Sequence, residues 1–182
     1  AIRLAHKIYG EEPGRYYMPN QYDNPNNPLA HELTTGPEIL AQTDGTLTHF
    51  VAGMGTGGTL MGTAACLRKH APAVQIIGVE PNLGHAIQGL KNMQEAIVPA
   101  IYHEEQLHRK IVIDDETAFE TSRQLASHEG IFCGMSGGAA MAGAFKLAQE
   151  LENGTIVVII PDRGDRYLST NLFKSMCANC PP

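Results

Sequence analysis

Val51-Ala-Gly-Met-Gly-Thr-Gly-Gly-Thr59 places four of the chain's nineteen glycines and two threonine hydroxyls in one short stretch. Those residue types at that spacing suit an anion. Glycine lets the backbone approach a ligand closely. The free amides of a helix's first turn point at the anion, and the helix dipole favours its charge. Thr56 and Thr59 add hydroxyl donors. The chemistry indicated is the binding of a phosphorylated small molecule by Gly55, Thr56, Gly57, Gly58 and Thr59.

Such a cradle needs a strand before it and a helix after it. Leu47-Thr-His-Phe-Val-Ala52 has strand character, and Leu60 to His70 has helical spacing. Three runs predict buried strands: Thr46–Ala52, Val74–Glu80 and Thr155–Pro161. They are β-branched and nearly continuously apolar, which suits a parallel sheet covered on both faces. Helical patterns fall at Ala1–Ile8, Pro28–Gln42, Thr59–His70, Asp115–Glu129 and Gly137–Glu152. Asp114 or Asp115 can cap the fourth of these. Gly36-Pro37 inside the second predicts a kink or a split. Alternating strand and helix predicts an α/β fold: a parallel sheet in a three-layer domain with right-handed crossovers. Tyr22-Asp-Asn-Pro-Asn-Asn-Pro28 is a dense turn cluster, expected at a domain junction.

Composition narrows the function classes. The chain has 182 residues, is 43% hydrophobic and 18% charged, and carries a formal net charge of −6. It can bury a sizeable core. The acidic balance argues against nucleic acid or an anionic membrane surface as partner. No apolar run approaches the ~20 residues of a membrane-spanning helix. Ala1 leads straight into a helical pattern with no signal-peptide character, so the chain reads as a piece of something longer.

Several readings compete at this level. Gly53-Met-Gly-Thr-Gly-Gly58 satisfies G-x-G-x-x-G, and Glu80 closes the next strand about 20 residues on, the spacing of a dinucleotide fingerprint. A structural strand-to-helix turn is the plainer alternative. His103-Glu-Glu-Gln-Leu-His108 approaches H-E-x-x-H, but its spacing is five, so no metal is expected there. Cys66 and Cys133 lie in apolar elements and read as buried thiols. Cys177-Ala-Asn-Cys180 lacks the second ligand pair of a zinc site and the strand-to-helix context of a redox motif.

A set of segments distributed along the chain resembles the cysteine synthase family, in the fold type II group of pyridoxal-phosphate enzymes. They are Tyr22-Asp-Asn-Pro-Asn-Asn-Pro28 with His31, Thr34-Thr-Gly-Pro-Glu-Ile39, Gly55-Thr-Gly-Gly-Thr59, Val79-Glu-Pro81 and Ile87-Gln-Gly89. Glu129-Gly-Ile-Phe-Cys-Gly-Met-Ser-Gly-Gly-Ala139 and Pro161-Asp-Arg-Gly-Asp-Arg-Tyr-Leu-Ser169 complete the set. They run in family order and spacing from Ala1 to about Phe173. The wording of the last two is similar to the B-type branch.

The resemblance implies pyridoxal 5'-phosphate as cofactor, its phosphate on Gly55 to Thr59 and its ring nitrogen beside Ser136. The plain alternative for Ser136 is a helix N-cap. Gln21 matches a glutamine beside the substrate, and Gly89 lies in a mobile active-site loop. The sequence then departs from the commoner Gly-Ile-Gly-Ala-Gly continuation, reading Leu90-Lys-Asn-Met93. There Lys91 can act as a point charge for a phosphorylated acceptor. The implied reaction is β-replacement: an amino-acid substrate, O-acetylserine or O-phosphoserine, loses its β substituent and a sulfur donor supplies the sulfur of cysteine. A homodimer in the cytoplasm is also implied. Residues 1–22 match the end of a small N-terminal domain, and 23–182 the large cofactor-phosphate domain. The Schiff-base lysine lies upstream of the matched segment. Lys7, Lys69, Lys91, Lys110, Lys146 and Lys174 are outside its motif, so the chain alone is expected to be inactive. The alternatives are a non-catalytic or split binding module, or another fold type II enzyme such as cystathionine β-synthase.

Overall fold

The computed structural model describes residues 2–173. Helix α1 (Ile2–Glu11) is followed by α2 (Asn26–Leu33), α3 (Thr35–Gln42), strand β1 (His49–Gly53), α4 (Gly58–His70) and β2 (Gln75–Pro81). After a 3-10 turn at Glu104–Gln106 come β3 (Arg109–Ile113), α5 (Asp115–His128), α6 (Met135–Ala148), β4 (Ile156–Val158) and a second 3-10 turn at Gly164–Tyr167. The strands form one parallel sheet in the order β3-β2-β1-β4. This is the expected α/β architecture.

Strand alternation sorts the core into two layers. Phe50, Ala52 and Ile76 point to one face and pack with Leu60, Met61, Ala64 and Leu67 of α4. Val51, Ile77 and Val79 point to the other and pack with Ala139, Ala142 and Leu147 of α6. Helices α2 and α3 back α4, and α5 backs α6. Gly62 lets α2 come in at backbone distance: a side chain there would run into the Pro28 carbonyl. The apolar runs of β1 and β2 are continuous because both faces are covered.

Two strands depart from expectation, and one helix splits as expected. Strand β3 was not anticipated. It lies at the sheet edge, opens on Arg109 and Lys110, and leaves Val112 45% exposed. An edge strand with one wet face lacks the continuous apolar run of its neighbours. The helical run Pro28–Gln42 is two helices that break at Thr34, so Pro37 sits in the first turn of α3, where no amide partner is lost. Strand β4 is shorter than Thr155–Pro161, although Ile159 still donates to the Val51 carbonyl (3.1 Å). The anticipated cap is present: Asp114 accepts from the Thr117 amide (2.9 Å) and holds the start of α5. Cys66 and Cys133 are buried free thiols. Cys177 and Cys180 lie outside the described residues.

Candidate functional site

The strand order reverses beside β1: β2 and β3 lie on one side and β4 on the other. Connections leave a parallel sheet towards opposite faces at such a point, which opens a crevice at the carboxyl ends of the strands. The glycine run occupies that crevice. Met54 continues β1, its amide bonded to the Val79 carbonyl (2.8 Å). Gly57, at φ +86°, is the left-handed residue that turns the chain into α4. The Gly58 amide donates to Thr56 Oγ1 (3.4 Å), and with the Thr59 amide it forms the first turn of α4.

A cavity of about 150 Å³ sits over this turn. It is lined by Gly55 to Thr59, by Gly89 and Leu90, by Ser136 of α6, and by Ile159 and Pro161 just beyond β4. A second cavity of about 370 Å³ shares Gly55, Thr56, Gly89 and Leu90 and adds Gln21, Tyr22 and Lys91. The nine residues expected from the sequence therefore meet at two adjoining hollows. Loop 87–91 is tied to the cradle: the Lys91 amide donates to the Met54 carbonyl (2.8 Å), and a Cβ on Gly55 would stand 2.8 Å from the Gly89 carbonyl oxygen. The Lys91 ammonium lies 5.6 Å from the centre of the Tyr22 ring.

Ser136 is buried in the first turn of α6, whose N-cap is Gly134 and not the serine. The plain capping role is therefore taken by Gly134, and Ser136 lines the cavity. Glu80 is not at the cavity. Its buried carboxylate lies 3.5 Å from the Lys110 ammonium and 3.5 Å from the Met93 amide. The ribose contact of a dinucleotide fingerprint has no carboxylate here. His103 and His108 flank the first 3-10 turn, and His108 Nδ1 accepts from the Ile76 amide (2.9 Å).

Two supporting residues belong to the segments that carry the resemblance but were given no role from sequence. Asn27 donates to the Gln21 carbonyl (2.8 Å) and to Thr56 Oγ1 (3.2 Å), bracing the cradle against the segment before α2. His31, one turn on, reaches Thr59 Oγ1 (3.2 Å). Their spacing of four on one helix face was the available signal. Next to Pro161 in the chain, Asp162 accepts from Tyr167, and burial pushes the Tyr167 phenol up to about 12.

A family model described as pyridoxal-phosphate dependent enzyme matches residues 1–162. The chain belongs to that family. Among its relatives, cysteine synthase B of Pseudomonas aeruginosa is 45% identical over 170 residues, which is 93% of this chain and 56% of the relative. Cysteine synthase B of Escherichia coli is 44% identical over 95% of this chain and 55% of its own length. The chain thus spans about half the length of the curated relatives it matches. Solved structures agree in fold. A cysteine synthase (OASS) from Entamoeba histolytica superposes with a TM-score of 0.88 at 38% identity, covering 96% of this chain and 54% of that one. An O-acetylserine dependent cystathionine beta-synthase from Helicobacter pylori gives 0.87 at 38% identity, covering 96% and 59%.

The donor set fits the phosphate of the family's cofactor. Among the described residues no acidic side chain lines the smaller cavity, and the first turn of α4 opens into it. A phosphate there would gain amide donors and the positive end of the helix without meeting a carboxylate.

Proposed function

We propose that this chain is part of a cysteine synthase, a pyridoxal-phosphate-dependent transferase that replaces the β substituent of O-acetylserine or O-phosphoserine with sulfur. The observation that carries the reading is the convergence of Gly55–Thr59, Gly89 and Ser136 on one cavity at the reversal of strand order. The names of the relatives supply the reaction. Bound pyridoxal phosphate would supply an electron-withdrawing ring that acidifies the substrate's α proton and lets the β substituent depart.

The chain's own residues bind and orient. The amides of Gly55 to Thr59 hold the phosphate, with the Thr56 and Thr59 hydroxyls as further donors. Ser136 would face the ring nitrogen of the bound cofactor, where its hydroxyl would not hold that nitrogen protonated as a carboxylate would, and so would favour loss of the β substituent over other fates. Gln21, Gly89 and Lys91 line the adjoining cavity, where the amino-acid substrate lies. Residues 1–22 are the end of a smaller domain, supported by α1, none of whose residues is buried. The whole protein is a cytoplasmic homodimer whose covalent cofactor lysine lies outside this chain.

Incubating the full-length protein with pyridoxal phosphate, sulfide and either acceptor tests this by the cysteine formed. Cysteine from at least one acceptor is expected. No cysteine from either refutes the reading. Much faster condensation with homocysteine identifies a cystathionine-forming enzyme instead.

A further inference from the structure

We infer that His31 is a positioning residue that sets the direction of the Thr59 hydroxyl proton in the anion cradle. The inference rests on the reading of Gly55–Thr59 as a phosphate site. His31 lies in α2, and its ring bridges two other helices. Nδ1 is 2.9 Å from Thr35 Oγ1 in the first turn of α3, and Nε2 is 3.2 Å from Thr59 Oγ1 in the first turn of α4. The ring is half-buried beneath the cradle, and Thr59 lines the cavity.

The chain of three groups has two arrangements. In one, Nδ1–H donates to Thr35 and Nε2 accepts from Thr59. The only Thr59 hydroxyl proton is then spent on the ring, and lone pairs face the cavity. An anion there is repelled. In the other, Nε2–H donates to Thr59, and Thr35 donates to Nδ1. The Thr59 proton is then free to donate to the anion, which makes a charge-assisted bond. An anion selects the second arrangement. Burial also holds the ring's pKa below 6.5, which favours the neutral form. The ring thus relays the presence of the anion from Thr59 to Thr35 by a change of tautomer and moves no heavy atom.

The geometry behind this is close packing. Gly62 brings α2 against α4, and His31 Cβ lies beside the place a Gly62 side chain would occupy.

The test compares apo full-length enzyme binding pyridoxal 5'-phosphate with its binding of pyridoxal, which lacks the phosphate. Thr59→Val should lower the preference for the phosphorylated form about ten- to hundredfold, the loss of a hydrogen bond to a charged group. His31→Phe should lower it about tenfold while leaving pyridoxal binding unchanged. The double variant should be no worse than Thr59→Val alone. His31→Gln, whose amide can still donate to Thr59, should restore most of the preference. Nitrogen-15 NMR of the wild type with inorganic phosphate should show His31 protonated on Nε2. That measurement stands even where the phenylalanine variant fails to fold.

A preference lost in Thr59→Val but kept in His31→Phe overturns the inference and leaves the cradle standing. Additive losses in the double variant overturn it too, as does a ring protonated only on Nδ1 with phosphate bound. A preference unchanged in Thr59→Val overturns both the inference and the phosphate role of Thr59.

Discussion

Gly55→Ala is the sharpest perturbation of the cradle. The added Cβ would stand 2.8 Å from the Gly89 carbonyl oxygen, 0.6 Å inside the 3.4 Å at which ordinary contact begins. Both atoms it would separate belong to backbone, so no side chain can swing aside. The Lys91 amide also ties the same loop to Met54 at 2.8 Å, which limits how far loop 87–91 can retreat. The strain therefore falls on the cradle. A shift of several tenths of an ångström misaligns amides that must point at a phosphate, and each bond to a charged group is worth about 1.5–3 kcal/mol. Losing one lowers affinity for pyridoxal phosphate roughly ten- to hundredfold, while overpacking costs about 1–3 kcal/mol of stability. Equilibrium binding to the apo full-length enzyme, read by cofactor fluorescence, measures the first, and urea unfolding measures the second. Wild-type affinity for pyridoxal phosphate in a folded Gly55→Ala variant would refute the placement of the phosphate here.

Ser136→Ala in the full-length enzyme should shift the bound cofactor's absorbance and lower turnover, and an unchanged spectrum and rate would remove Ser136 from the ring nitrogen. Lys91→Ala should weaken use of O-phosphoserine about ten- to hundredfold, the loss of a charged contact, while use of O-acetylserine falls far less; equal losses would mean that Lys91 reads no phosphate. Burial lowers the His31 pKa from 6.5 in the folded state, so below that pH the unfolded chain binds more protons. The stability from the neutral ring is complete above pH 6.5 and drains as pH falls through the depressed folded value. The destabilisation of His31→Gln, measured by urea unfolding, should therefore shrink between about pH 7 and 5, and a penalty that grew on acidification would contradict that sign.

The features legible in the sequence were those made by neighbours along the chain. A β-branched run, a cluster of glycines and a helical period within 25 residues are enough to announce a strand, a cradle and a helix, because the backbone conformations involved are local. The Asp114 cap and the break near Gly36-Pro37 belong to the same class. Edge strand β3 was missed because its pattern depends on a neighbour it lacks on one side. Glu80 shows the opposite limit. Its spacing matched a ribose-binding acid, yet Lys110 and the Met93 amide, thirty and thirteen positions away, claim it. Ser136 could be read as a cap until the fold gave that place to Gly134 and turned the serine into the cavity. Asn27 and His31 became supports of the cradle only through the packing of α2 on α4 at Gly62. Sequence alone marked the segment proposed to hold an anion, since a glycine run before a helix start is a local pattern. Tertiary structure decided what surrounds that segment, because those contacts join residues about thirty to a hundred positions apart, brought together only when both faces of the sheet are covered.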